Sequence, residues 1–204
     1  MSKSNYNEGY VNLELNNHSD ALESVLPESC KNLLDYKGAA SCREALDVGK
    51  EGWKPEVLGE VDHRLVKAPY IRMSHYTMGD QGDYVFLFDL RFTQPNKNYM
   101  ETRVLHSLEH ILLAGFRKYL DGFVSVAPMG CQTGFYLITI NSCNVYKITS
   151  TFEKILSELL SLNEVPYNTD RECGQAAHHD LEGAKRLAEK VLAQKTSWLN
   201  VLDG

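Results

Sequence analysis

The chain has 204 residues and a formal net charge of -6, with no dense cluster of Lys or Arg. That length suits one domain, or one domain with an appendage, and the acidic balance argues against nucleic acid or an anionic membrane as main partner. No apolar run approaches the roughly 20 residues a bilayer span needs, so no membrane association is expected. The first 17 residues have neither a cationic lead nor an apolar stretch, so no signal or transit peptide is expected. Five cysteines (Cys30, Cys42, Cys131, Cys143, Cys173) are odd in number and lack C-x-x-C pairing, which points to a reducing, cytoplasmic compartment.

In chain order, residues 1–56 read as an N-terminal extension of unknown role. It holds two short helix-like patches, over 20–26 behind Ser19 and over 42–48 behind Ser41, interrupted by Pro27, Gly38 and Gly49-Lys50-Glu51-Gly52. From residue 57 to 204 the periodicity sharpens into a single domain. β-Branched and aromatic runs over 70–77 and 84–92 predict a hairpin. A loop at Gln94-Pro95-Asn96-Lys97 precedes a helix over 102–120, with Leu105, Leu108, Leu112 and Phe116 on its apolar side. A short strand over 123–126, a tight turn at Pro128-Met129-Gly130-Cys131 and a strand over 135–140 follow. Ser150-Thr151-Phe152-Glu153 reads as a capping box opening a helix, and the last helix starts near Asp180. Strands and helices mix without regular βαβ alternation, which predicts an α+β fold with a mainly antiparallel sheet.

The chemistry concentrates in His106-Ser107-Leu108-Glu109-His110. Residues four apart share a helix face, so His106 and His110 can hold one metal ion while Glu109 stands beside it as a general acid/base. A catalytic site takes three protein ligands and keeps one position open. Cys173, in Arg171-Glu172-Cys173-Gly174-Gln175, is the best third ligand, although a lone cysteine is more often a packing thiol. Two imidazoles and a thiolate suit Zn2+, Fe2+ or Co2+. Cys131, flanked by small residues in a tight turn, reads as an accessible thiol that a nearby cation would ionise. His63 follows Asp62 near the first strand, and Arg91 closes the second. Arg91 either forms a structural salt bridge with Asp89 or Asp62 or holds an anionic or hydroxyl-rich partner, and the pattern leaves both open.

These motifs together resemble the S-ribosylhomocysteine lyases, the autoinducer-2 synthases of bacteria. The resemblance runs over about 61–195. It rests on Val61-Asp62-His63, Ala68-Pro69-Tyr70, Phe88-Asp89-Leu90-Arg91-Phe92, Gln94-Pro95-Asn96-Lys97 and the His/Glu motif. It continues in the stretches 128–136, 173–176 and 179–185. It implies a homodimer with active sites at the subunit interface and a metal held by His106, His110 and Cys173. That metal is Fe2+ in the cell, with Zn2+ or Co2+ able to substitute. It further implies Glu109 and Cys131 as the acid/base pair, and His63 and Arg91 lining the substrate pocket. The implied reaction splits S-ribosylhomocysteine into homocysteine and 4,5-dihydroxy-2,3-pentanedione, in autoinducer synthesis for quorum sensing and in the methionine cycle. The chain departs from the family pattern at Leu58, Ser125 and Ala127, positions that in relatives help hold the sugar or the amino-acid end. Two other readings stay open: an H-x-x-E-H metallopeptidase, and a metal-binding homologue with altered substrate or lost turnover.

Overall fold

The two alternating runs form the expected hairpin: β1 (Tyr70–Met78) pairs antiparallel with β2 (Tyr84–Arg91), Tyr70 opposite Arg91 and Met78 opposite Tyr84. In the computed structural model, which describes residues 46–202, β3 (Phe123–Pro128) and β4 (Gly134–Ile140) complete an antiparallel sheet in the order β1-β2-β4-β3. Three helices pack with it: α1 (Thr102–Tyr119), α2 (Val145–Leu159) and α3 (Leu181–Leu192). This is the α+β class that the sequence predicts.

Side chains alternate across the strands, so β2 and β4 turn Phe88, Leu90, Phe135 and Leu137 to one face, where all four are fully buried. Leu108, Leu112 and Phe116 of α1 and Leu156 of α2 are equally buried. Each such side chain contributes about 1.5–3 kcal/mol relative to exposure. Edge-to-face ring contacts, Phe92 to Phe135 at 5.3 Å and Phe92 to Phe152 at 5.5 Å, tie the sheet to α2.

The opposite sheet face is mixed. Near one end it carries Tyr70, Arg72, Asp89 and Arg91, all buried. Toward the other end it is apolar and open: Val85 faces Ile140, Leu87 faces Ile138, and Tyr136 lies beside Ala127. Val85, Tyr136 and Ile140 are 38%, 41% and 39% exposed.

Two expectations need correction. The helix thought to open at Ser150 is capped instead at Asn144, whose side chain accepts the Lys147 N–H at 3.2 Å. Ser150 lies inside α2, its hydroxyl bonded back to the Lys147 carbonyl. Val145, Ile148, Thr149 and Thr151 are β-branched and poor helix formers, but full burial of Ile148 overrides that weak preference. The strand expected over 123–126 runs on through Pro128. The patch at 20–26 lies outside the described residues. Of the patch at 42–48, residues 46–48 are described, and they lead into a turn closed by Lys50 N–H on the Asp47 carbonyl at 3.1 Å. From Asp47 onward the chain belongs to one unit. Within it the buried Trp53 ring lies 5.2 Å from Phe88, and its Nε1–H donates to the Cys143 carbonyl.

Candidate metal centre and thiol pocket

On α1, His106 and His110 project together, ring centroids 4.7 Å apart. Each ring is oriented through its Nδ1–H: His106 donates to the His178 carbonyl at 2.9 Å, His110 to the Pro166 carbonyl at 2.8 Å. A carbonyl can only accept, so both imidazoles keep a free Nε2 lone pair, the arrangement of metal-ligating histidines. The loop before α3 delivers Cys173, with Sγ 3.3 Å from His106 Nε2 and the Gln175 N–H donating to the sulfur at 3.4 Å.

The structure adds a fourth donor that sequence reasoning passed over. His179 stacks on His106 at 4.0 Å, with Nε2 3.8 Å from the Cys173 sulfur. The ligand atoms of His106, His110, Cys173 and His179 all lie within 4.8 Å of one another. A tetrahedral zinc with ordinary Zn–N and Zn–S bonds needs N-to-S edges of about 3.5 Å, so this donor set fits a divalent ion. Burial first, and the crowding of neighbouring imidazoles second, pull the His179 pKa down to about 4, so its ring is neutral at pH 7. The signal in the sequence was His178-His179 six residues beyond the chosen cysteine.

Close packing positions this loop. A Cβ on Gly183 would come within 2.6 Å of Val104 Cγ2, so only glycine lets α3 begin this near α1. The Asp180 side chain caps α3 by accepting Gly183 N–H at 2.8 Å. Glu109 lines a cavity of about 370 Å³ with Thr102, Leu105, His106, Gln175 and His178.

Cys131 belongs to a different cavity, of about 490 Å³, shared with His63, Arg91, Lys97, Tyr99 and Thr133. Its turn is closed by Gln132 N–H on the Met129 carbonyl at 2.8 Å, with Gln132 at φ 59°. Cys131 is exposed, and Arg91 Nη1 lies 3.8 Å from its sulfur. Burial opposes ionisation here, but hydrogen bonds from the Thr133 side chain and backbone, with the Arg91 charge, outweigh it and hold the thiol below its usual pKa. Cys143 and Cys173, the other two described cysteines, are buried free thiols.

Of the two alternatives for Arg91, the structure shows the salt bridge, with Asp89. Its guanidinium grips Asp89 through Nε at 3.1 Å and Nη2 at 2.7 Å, while Nη1 faces the thiol pocket. Asp62 is not its partner, being held by Arg64 at 2.6 Å, which keeps the Asp62 carboxyl down at about 2. Asp89 also accepts from Tyr70 at 3.1 Å and lies 3.5 Å from Arg72. Among the described residues no helix is long and apolar enough to cross a membrane.

Fold and site together define an α+β protein in which His106, His110, Cys173 and His179 could hold a metal ion, with a separate accessible thiol at Cys131. The S-Ribosylhomocysteinase (LuxS) family matches residues 59–202 of the chain. S-Ribosylhomocysteine lyase of Macrococcus caseolyticus is 44% identical, over 68% of this chain and 86% of its own. The lyase of Exiguobacterium sibiricum is 46% identical, over 68% of this chain and 89% of its own. That of Helicobacter acinonychis is 42% identical, over 69% and 90%. The chain belongs to the S-ribosylhomocysteinase family.

Proposed function

We propose that this chain is a metal-dependent carbon–sulfur lyase that splits S-ribosylhomocysteine into homocysteine and 4,5-dihydroxy-2,3-pentanedione. The observation that carries this reading is the convergence of His106 and His110 of α1 with Cys173 of the loop before α3, with Glu109 on the same helix as the two histidines. The thioether sulfur sits on C5 of the sugar and the carbonyl starts at C1. Elimination needs the carbonyl at C3, so two carbon-to-carbon proton shuttles must come first. Cys131 and Glu109 are the groups that take each carbon proton and return it to the neighbouring carbon. His63 and Arg91 bind the sugar beside Cys131. His106, His110 and Cys173 would hold a divalent metal, which would supply Lewis acidity for the substrate carbonyl. We assign Fe2+ to the site in the cell, with Zn2+ or Co2+ as substitutes, in keeping with the imidazole and thiolate donors. His179 stands within reach of the same ion. Catalysis is assigned to residues 57–204 in the cytoplasm, with residues 1–56 as an extension outside it.

The working unit is a homodimer with interfacial active sites. Two observations support it. Within one chain the cavity of Cys131, Arg91 and His63 shares no residue with that of His106 and Glu109, so the acid/base pair is divided between two cavities. The sheet also presents an open apolar face, Val85, Ile138, Ile140 and Tyr136, that a second copy would cover.

The test is homocysteine release from S-ribosylhomocysteine by anaerobic, Fe2+-loaded protein, quantified by chromatography. Wild type is expected to release homocysteine and the dicarbonyl product, and Cys131→Ala about 10²–10⁴-fold less. No release from fully metallated wild type would overturn the assignment.

A further inference from the structure

Thr133 is 4% exposed and lines the thiol pocket between Arg91 and Cys131. Its hydroxyl oxygen lies 2.6 Å from Arg91 Nη1 and 3.0 Å from Cys131 Sγ. A guanidinium has donors and no acceptor, so the hydroxyl must accept from Arg91. That leaves its one proton for the remaining neighbour, the sulfur. Arg91 itself stands 3.8 Å from Sγ, at the outer limit of a direct bond, so the hydroxyl bridges the gap.

We propose that Thr133 is a positioning residue that relays the Arg91 charge to Cys131, donating its hydroxyl to the sulfur and holding it as the thiolate. Both ends of the relay are fixed. The Thr133 carbonyl accepts from Phe92 N–H at 2.9 Å and Thr93 N–H at 3.1 Å. Asp89 anchors the far side of Arg91 at 2.7 Å. The charged and titratable groups lining the pocket around the sulfur are Arg91 from β2, with Asp89 behind it, His63 from the segment before β1, and Lys97 and Tyr99 from the loop after β2. Thr133 is the neutral group that fixes where the nearest of these charges acts.

The proposal rests on Cys131 as the proton carrier, so its test reads the thiol rather than turnover. Full-length, metal-loaded protein is alkylated with iodoacetamide across pH, and Cys131 modification is followed by peptide mass spectrometry. Removing a hydrogen bond to a charged acceptor in Thr133→Val is expected to raise the alkylation midpoint by about one pH unit, with alkylation about tenfold slower at neutral pH. Thr133→Ser keeps the hydroxyl and is expected to restore the wild-type profile. Should Thr133→Val fail to fold, Thr133→Ala removes the same hydroxyl and is expected to give the same shift. A hydroxyl-free variant that superimposes on wild type, or a serine variant that shifts as far, would overturn the relay. Turnover surviving in Cys131→Ala would instead overturn the role of the thiol, whatever the midpoints show.

Discussion

The hydroxyl of Ser107 accepts the backbone N–H of Asp180 at 2.9 Å while donating to the Arg103 carbonyl at 2.9 Å. Ser107, fully buried between the two histidines of the motif, therefore staples the start of α3 to the metal helix. The same hydroxyl lies 3.4 Å from His179 Nδ1. One small side chain thus couples the positions of the α1 histidines and His179.

Ser107→Ala leaves the Asp180 N–H only its longer bond to the Arg103 carbonyl at 3.3 Å, and loosens the segment between Cys173 and α3. Metal affinity is expected to fall about 10–100-fold, as it does when groups supporting metal ligands are removed. Competition with a chromophoric chelator measures this directly; unchanged affinity would mean that the staple has no bearing on the site.

Asp89 lies buried between two buried arginines, 2.7 Å from Arg91 and 3.5 Å from Arg72. Asp89→Asn keeps the shape but strands both positive charges, a loss of about 3–5 kcal/mol by the usual cost of breaking a buried pair. Urea denaturation of the two proteins reads the difference.

Ile138 pairs with Leu87 on one side and Ser125 on the other, in the middle of the open apolar face. Ile138→Asp is expected to yield a monomer in sedimentation velocity and to abolish homocysteine release, while leaving metal content intact. A dimeric Ile138→Asp protein would place the subunit contact elsewhere.

Burial, with the Glu51 charge second, raises Cys143 from its ordinary 9.0 to about 11. The folded state therefore holds this proton more tightly than the unfolded chain. Its contribution to stability is complete below about pH 9 and disappears as pH climbs through about 11. Denaturation midpoints at about pH 8 and about pH 10.5 should differ less in Cys143→Ala than in wild type.

Alternation and helical spacing made the hairpin, α1 and α3 legible, because in each the apolar residues recur at the period of the element they form. The start of α2 was not legible: Val145 and Ile148 in its first turn are β-branched, and tertiary burial of Ile148 favours the helix there. At the site, His106, Glu109 and His110 announce themselves because four-residue spacing is a local property of a helix. Cys173 required a choice among cysteines that spacing does not rank. His179 was missed because its approach depends on Gly183 letting α3 close on α1, a contact between distant segments. The partner of Arg91 was left open between Asp62 and Asp89, although Asp89 stands two residues before it on β2, where strand alternation puts both side chains on one face.

His106 and Cys173 meet across 67 positions of chain, and the carbonyl that orients His110 comes from Pro166. A growing polypeptide that has completed α1 offers only two unoriented imidazoles, a weak grip for any ion. Durable capture waits until the cysteine loop and α3 have emerged and docked. Metal acquisition at this site would therefore come among the last events in the maturation of the protein, and a bound ion would certify that nearly the whole domain has been made and folded.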